Sequence, residues 1–156
     1  MRHRVQLSTI VAVLIAATTL IGCAPAAPKD LKLSGVLVAA ADVNLDSEGR
    51  PSPIVVRIYQ LQSAAKFNNA DFFGLYDDAA GELGADLIAF DEFTLRPGQS
   101  MDYQAQFKPT AKFVGIIAAF RDINSAQWRA DLELSKKPGR LRIGLEKMSV
   151  SASFED

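Results

Sequence analysis

Hydrophobic and polar residues alternate in short segments along most of the chain after residue 30, and turn residues separate the segments. Residues 54–61 (Ile-Val-Val-Arg-Ile-Tyr-Gln-Leu) are dense in β-branched side chains and predict a strand. The same reasoning predicts strands at 31–41, 85–95, 101–107, 111–120, 128–134, 141–145 and 148–154. About eight strands, with turns at roughly ten-residue spacing, predict an all-β sandwich. The half-polar alternation predicts antiparallel sheets, each with one face on the core and one in water.

Two details refine this pattern. Residues 96–99 (Arg-Pro-Gly-Gln) predict a type II turn, with Pro97 at its second position and Gly98 at its third. Residues 111–120 are almost wholly apolar, which predicts a central strand covered on both faces.

Residues 63–84 have a different pattern, because apolar side chains recur there at helical spacing. They predict one short helix capped by Asn68 or Asn69, with Asp71 in its first turn and its end near residues 77–78. A second turn before residue 84 is also compatible. The result is a small helical insertion between strands 2 and 3.

The aromatic residues of this insertion cannot all face one core. Phe67, Phe72, Phe73 and Tyr76 lie too close together on one short helix. A helix wedged against the sheet edge is the preferred interpretation, and an aromatic contact surface is the alternative. Trp128 alternates in phase with its apolar neighbours, so we expect it in the core.

The N-terminus has the organisation of a secretory signal peptide. A basic segment at residues 2–4 precedes an apolar run at 5–21, and Gly22 then precedes Cys23, the only cysteine. The apolar core is short for a membrane span. A cysteine directly after the cleavage site resembles a bacterial lipobox, in which Cys23 is lipidated and becomes the first mature residue. A plain signal peptide with an incidental cysteine and an uncleaved anchor helix are the alternatives.

Lipidation would determine where the protein resides. Two or more acyl chains hold a protein stably on a bilayer, whereas one does not. Ala24 is not the Asp that commonly retains such proteins in the inner membrane, so by analogy we expect the periplasmic face of the outer membrane. The predicted domains are a signal peptide at 1–22, a lipidated tether at 23–30, and a β-sandwich at 31–156.

Composition narrows the classes of function. Without residues 1–22, 134 residues remain (156 − 22), about one domain. They carry 15 basic and 18 acidic residues (17 minus Arg2 and Arg4, against 18), so their formal net charge is −3. This balance indicates neither a nucleic-acid surface nor a polybasic membrane surface.

The only histidine is His3, so no Ser-His-Asp site and no His-rich metal site is available. We therefore expect a binding or structural protein without a cofactor, and not an enzyme.

The acidic motifs do not predict a site either. Neighbouring residues on a strand point to opposite faces, so Asp91 and Glu92 are poorly placed to act as a carboxylate pair. The loop that begins at Asp42 has oxygen-bearing side chains at alternate positions, as in a calcium loop. It lacks the bidentate Glu, since Val55 stands there. No catalytic or metal-binding residue is predicted.

Several segments together resemble a known family. They are Asn44-Leu45-Asp46, 49–53 (Gly-Arg-Pro-Ser-Pro), 56–61, Phe67 with Ala70-Asp71-Phe72, 75–76, 95–98 (Leu-Arg-Pro-Gly), 114–121 and Trp128-Arg129. With Cys23, this order resembles the outer-membrane lipoprotein of the type VI secretion system, the TssJ family. The combination carries the resemblance, since no single segment would suffice. Relatives often have Pro where this chain has Leu45.

The resemblance implies a transthyretin-like antiparallel β-sandwich and no catalysis. It implies that Cys23 holds the protein on the outer membrane, within a multi-copy assembly that spans the envelope. It also implies a partner, the periplasmic domain of the inner-membrane protein TssM. The implied contact element is the loop between the first two strands, residues 42–53. The expected contact residues are Asn44, Leu45, Asp46, Ser47, Glu48 and Gly49.

Two other functions compete with this structural adaptor. One is a periplasmic ligand-binding lipoprotein, with a cleft near the helical insertion; a deep apolar pocket with convergent polar groups would support it. The other is a carboxylate-based hydrolase, against which the missing histidine and the poorly placed acids argue.

Overall fold

The computed structural model of the protein describes residues 28–155, which form eight strands and a group of short helices. The strands are β1 (Leu31–Ala39), β2 (Ile54–Leu61), β3 (Leu87–Leu95), β4 (Ser100–Phe107), β5 (Phe113–Ala118), β6 (Arg129–Glu133), β7 (Arg140–Leu145) and β8 (Val150–Glu155). The helices are α1 (Ala65–Asn69), α2 (Phe72–Asp77) and α3 (Ala79–Leu83), followed by a 3-10 turn at Gly84–Asp86. The predicted all-β sandwich with a helical insertion between strands 2 and 3 is confirmed. The predicted signal peptide at 1–22, Cys23 and the predicted tether up to residue 27 lie outside the described residues.

Two four-stranded sheets form the sandwich. One has the strand order β4-β1-β7-β8 and the other β3-β2-β5-β6. All pairs are antiparallel except β1 and β7, which run parallel with Gly35 opposite Leu141. Residue alternation predicts antiparallel sheets but does not specify partners, and this pair joins strands about a hundred residues apart. Gly35 permits the close approach, because a Cβ there would lie 2.4 Å from the Leu141 carbonyl oxygen.

Apolar side chains fill the space between the sheets and also a second space on the outer side of β2 and β5. Val56, Ile58 and Ile116 belong to the first core. Tyr59 and Ile117, on the opposite face of the same strands, belong to the second. The predicted central strand at 111–120 is confirmed over the bounds of β5, since both of its faces are covered.

The helical insertion covers this second face, and it differs from the single helix that the sequence predicts. Ala70 is extended (ψ 152°) and ends α1, so neither Asn68 nor Asn69 caps a helix start. Asp71 caps α2 by accepting a hydrogen bond from the Gly74 N–H, and Asp78 caps α3 in the same way. The prediction was wrong because Asn and Asp have similar capping preferences, so the sequence did not distinguish Asn68 and Asn69 from Asp71. The extended Ala70 ends α1 and leaves Asp71 as the cap of the next helix.

The insertion packs on the face of the sheet. The preferred interpretation from the sequence, a helix wedged against the sheet edge, was therefore wrong. Phe67, Leu75 and Leu83 are fully buried. The Phe67 ring lies so close to Gly115 of β5 that a Cβ there would stand 2.8 Å from it. Arg129 fastens the helices to β6, because its Nη1 donates to the carbonyl oxygens of Phe67 and Ala70 at 2.7 and 3.0 Å.

The strands give the sandwich two distinct ends. At the end where β1 begins, here called the entry end, lie the connections β2–β3, β4–β5 and β6–β7 and the end of β8. At the opposite end, here called the loop end, lie the connections β1–β2, β3–β4, β5–β6 and β7–β8. The nine residues of β1 separate the two ends by about 30 Å.

Candidate functional site at the loop end

The β1–β2 loop, residues 40–53, is tied to the sandwich at its base. Val43 is fully buried, and its carbonyl oxygen accepts the Ser52 N–H at 3.2 Å. The Asn44 N–H donates to the carbonyl oxygen of Lys147, in the β7–β8 connection. The two ends of the loop are thereby held together, and residues 45–51 project from the base.

Asn44 determines how the loop leaves this base. Its backbone is left-handed (φ 52°), a conformation that Asn tolerates better than most residues. Its side chain is 4% exposed; Nδ2 donates to the Pro53 carbonyl oxygen and Oδ1 accepts the Arg121 N–H, each at 2.8 Å. The side chain therefore connects the β1–β2 and β5–β6 loops.

Asp46 organises the tip of the loop. Its carboxylate accepts hydrogen bonds from the backbone N–H groups of Glu48 and Arg50 and from Nε of Arg50, each at 2.9 Å. The hydrogen bonds from Arg50 hold the pKa of Asp46 below its ordinary value. Arg50 also lies 3.1 Å from the Glu48 carboxylate. The tip is therefore a closed turn in which Arg50 forms ion pairs with both Asp46 and Glu48.

A surface groove of about 500 Å³ opens beside this turn. Three connections line it, namely β1–β2, β5–β6 and β7–β8, with the residues Asn44, Leu45, Asp46, Ser47, Phe120, Arg121, Asp122, Lys147 and Met148. Phe120 is 6% exposed, Leu45 is half-buried and Met148 is 36% exposed. The groove thus combines apolar side chains with a charged rim.

The structure places the predicted contact residues in one loop but in different roles. Asn44 is turned inward, Leu45 and Asp46 are half-buried in the groove wall, and Ser47, Glu48 and Gly49 are exposed.

Sequence reasoning missed the groove residues that come from the other two connections. These are Phe120, Arg121, Asp122, Lys147 and Met148. It also missed Arg50, which pairs with Asp46, because a four-residue spacing indicates an ion pair on a helix and this segment is a loop. With Arg50, Arg121 and Lys147 nearby, the acids of the loop form a mixed-charge surface.

The other acidic motifs have structural partners. Tyr103 donates its hydroxyl to Asp91 at 3.1 Å on the core side of β3, whereas Glu92 pairs with Arg57 at 2.6 Å on the helix side. Burial, and then the Asp91 carboxylate, raise the pKa of Tyr103. The prediction that the two acids face opposite sides is confirmed. Within residues 28–155 no group of three or more His, Cys, Asp or Glu side chains could hold a metal ion.

The aromatic side chains of the insertion divide between core and surface. Phe67 and Phe72 are buried, and Tyr76 stacks on Phe72 with ring centroids 5.3 Å apart. Only Phe73 of this group is strongly exposed, at 60%. Trp128 is half-buried and packs against both cores, in partial agreement with its predicted core position. Side chains of the second core occupy the space between the helices and the sheet.

Solved structures share this fold. The crystal structure of the T6SS lipoprotein TssJ1 from Pseudomonas aeruginosa matches with a TM-score of 0.78 and 31% identity, over 83% of this chain and 98% of that chain. A chain in the structure described as "Type VI membrane complex" matches with a TM-score of 0.71 and 28% identity, over 78% and 97%. A chain in the structure described as "T6SS protein TssM C-terminal domain (869-1107) from EAEC" matches with a TM-score of 0.66 and 26% identity, over 78% and 97%. The fold is therefore that of a type VI secretion lipoprotein.

The family follows from the sequence as well. Residues 31–151 match the model of the family T6SS-SciN, described as type VI secretion lipoprotein, VasD, EvfM, TssJ, VC_A0113. The chain belongs to this family, which is a family of structural lipoproteins and not of enzymes. No curated protein matches the chain. Among residues 28–155, no helix is long and apolar enough to cross a membrane.

Proposed function

We propose that this protein is a structural adaptor of the type VI secretion membrane complex. A lipid on Cys23, exposed by removal of residues 1–22, holds it on the periplasmic face of the outer membrane. The β1–β2 loop binds the periplasmic domain of a TssM-like inner-membrane protein. Family membership supports the role, as do matching chains in structures described as a type VI membrane complex and a TssM C-terminal domain.

The observation that carries the proposal is the opposition of the two ends. The chain enters the sandwich at Leu31, eight residues after Cys23, whereas the β1–β2 loop lies at the other end of β1. A domain tethered at the entry end can hold its loop end about 30 Å further into the periplasm. An inner-membrane partner would approach from that side.

The groove at the loop end has the composition of a small binding site. Interface energy concentrates in a few apolar or aromatic anchors surrounded by polar residues. Leu45 and Met148 provide exposed apolar surface beside the buried Phe120, and Ser47 and Glu48 belong to the polar rim. Asn44 acts indirectly in this proposal, because its buried side chain positions the loop.

The decisive experiment replaces residues 45–49 with a Gly/Ser linker and keeps Asn44, so that the base of the loop is unchanged. We expect the affinity for the periplasmic TssM domain to be lost while the melting temperature changes little, since surface loops tolerate alteration. Leu45→Asp alone should cause much of this loss. Calorimetry on the domain from Pro28 onward measures both variants.

Phe73→Ala is the matched control, because it removes an exposed apolar side chain on a different surface. If loop replacement left the affinity unchanged and Phe73→Ala lowered it, the contact would lie on the helical insertion and the proposal would be contradicted.

The lipid anchor has its own test. Cys23→Ser should leave a folded domain that no longer fractionates with the outer membrane, because acylation requires the thiol. Metabolic palmitate labelling of the unaltered protein should be positive and should disappear in the variant. An unlabelled parent protein would refute the anchor without affecting the loop proposal.

A further inference from the structure

Lysines are distributed very unevenly over the molecule. Six of the eight lysines in the chain lie in three segments at the entry end, namely Lys29, Lys32, Lys108, Lys112, Lys136 and Lys137. All six are exposed. The segments are the chain before and at the start of β1, the β4–β5 connection and the β6–β7 connection.

These segments converge in space. The ammonium group of Lys108 lies 3.0 Å from the Asp30 carboxylate, and the Leu134 N–H donates to the carbonyl oxygen of Lys112 at 2.7 Å. A depression of about 270 Å³ is lined by Lys29, Lys108 and Lys136 together. The lysines therefore form one basic surface, here called the entry-end lysine surface.

The acids beside this surface include Asp30, Glu133 and Glu155, so the six lysines outnumber them. Within residues 28–155, Lys108 is the one member of the six that takes part in an ion pair. Glu155, at the end of β8, lies 3.6 Å from Arg142. The helical insertion leaves and rejoins the sheet at this end, lies over the outer face of β2 and β5, and carries five acids, Asp71, Asp77, Asp78, Glu82 and Asp86. The small net charge of the chain therefore conceals an uneven distribution of charge.

The chain outside the described residues reaches the domain at this same surface. Leu31 comes eight residues after Cys23, which gives a contour length of at most about 28 Å. Tethered basic residues come close to the bilayer, and their attraction to anionic lipid acts over about 8 Å at physiological salt. We propose that the entry-end lysine surface docks on anionic phospholipid headgroups of the membrane that carries the lipid anchor. The bilayer placement rests on the proposed acylation of Cys23.

Docking would give the anchored domain a defined orientation. A lipid tether alone allows the domain to lie on any side, including one that turns the loop end towards the membrane. Attraction through the entry-end lysine surface favours an upright domain. In that orientation the β1–β2 loop faces the periplasm.

The test uses the domain from Pro28 onward, which lacks Cys23 and therefore reports on the surface alone. This part contains both cores, and solved relatives corresponding to about this portion of the chain fold as such. We expect it to float with vesicles of equal parts phosphatidylglycerol and phosphatidylcholine at low salt. It should neither float with phosphatidylcholine vesicles nor remain bound at high salt.

Two charge-matched double variants locate the binding surface. Lys136→Gln with Lys137→Gln should weaken vesicle binding by roughly tenfold to thirtyfold, since each lysine near an anionic bilayer contributes about fivefold. Arg50→Gln with Arg96→Gln removes the same charge at the loop end and should leave vesicle binding nearly unchanged. Equal losses in both variants, or no binding of the parent domain to anionic vesicles, would overturn the proposal.

Failure here is distinguishable from failure of the proposed function. Vesicle binding is measured without the TssM domain, and loop binding is measured without lipid. If the Lys136 and Lys137 variant lost TssM binding while the parent ignored vesicles, the surface would be a protein contact and the lipid proposal would be wrong.

Discussion

The two long connections of β2 are built in different ways. The insertion that follows β2 has an apolar core of its own, in which Phe67, Leu75 and Leu83 have no exposed surface. The β1–β2 loop that precedes it buries Val43 and is otherwise held by polar atoms of Asn44 and Asp46. One connection is therefore stabilised by packing and the other by a few hydrogen bonds.

This difference separates stability from recognition. Each large apolar side chain of the insertion contributes roughly 1.5–3 kcal/mol through burial, so the fold restricts which residues can stand there. The tip of the loop contributes little to either core, and the fold leaves its exposed residues free to vary. Recognition of a partner is accordingly expected at the loop, while the insertion completes the domain.

The largest effect should come from a charge in the core between the sheets. Ile58→Asp would place a carboxylate with no exposed surface opposite Asp91 in the register of β2 and β3, and we expect the domain not to fold. Ile117→Asp is the informative partner, because Arg57 and Arg129 stand opposite Ile117 on the two neighbouring strands. Circular dichroism should show a folded but weakened Ile117→Asp variant. Equal melting of Ile58→Asp and the parent would contradict the core assignment.

The next largest effect should come from the second core. Phe67→Ala removes a fully buried ring between α1 and β5, and we expect a loss of about 3–5 kcal/mol in the free energy of unfolding. Phe73→Ala, at the exposed aromatic of the same insertion, should change it by less than about 0.5 kcal/mol. Urea denaturation of both variants measures the difference. A similar loss in both would mean that the insertion is not a packed layer.

The strands were predictable because alternation is a local signal. The segment 54–61 coincides with β2, and the turn at 96–99 forms with Gly98 at positive φ (73°) and the Gln99 N–H on the Arg96 carbonyl oxygen. The parallel partnership of β1 and β7 was not predictable, because it depends on how the chain crosses between the sheets. The position of the insertion was predictable but its helices were not, since the apolar spacing predicts one continuous helix and the extended Ala70 divides it.

The candidate site was predictable only in part. The position of the loop and its projecting residues follow from the sequence, but the inward orientation of Asn44 depends on Pro53 and Arg121. Phe120 and Met148 join the groove from 70 to 100 residues further along the chain, which no local pattern indicates. The entry-end lysine surface was missed for a related reason, because net charge does not report where the charges lie.

A moderate effect on stability is expected at the base of the loop. Asn44→Ala removes two buried hydrogen bonds and places Ala at positive φ, so we expect a loss of about 1–3 kcal/mol and weaker binding of the TssM domain. In Asn44→Gly the glycine adopts the positive φ without strain, so the loss of stability in this variant measures the contribution of the two hydrogen bonds alone. Ser47→Ala, on the exposed tip, should leave stability unchanged. If Asn44→Ala were neutral in both measurements, the loop would be positioned by other contacts.

The smallest effect concerns the tip, where Arg50 holds Asp46. In Arg50→Gln the pKa of Asp46 should rise, because the guanidinium hydrogen bond and charge disappear, but the backbone N–H groups of residues 48 and 50 should keep it below 3.8. Because the pKa of Asp46 is lower in the folded protein than in the unfolded chain, the ionised carboxylate stabilises the folded tip at any pH above the unfolded-state pKa. This stabilisation is lost as the pH falls through the folded-state pKa. The exposed pair should contribute little to global stability, so the melting temperature at neutral pH should barely change. NMR titration of the Asp46 carboxyl carbon in both proteins measures the shift. An unchanged pKa would show that backbone hydrogen bonds alone maintain the turn, and that Arg50 is free to contact a partner.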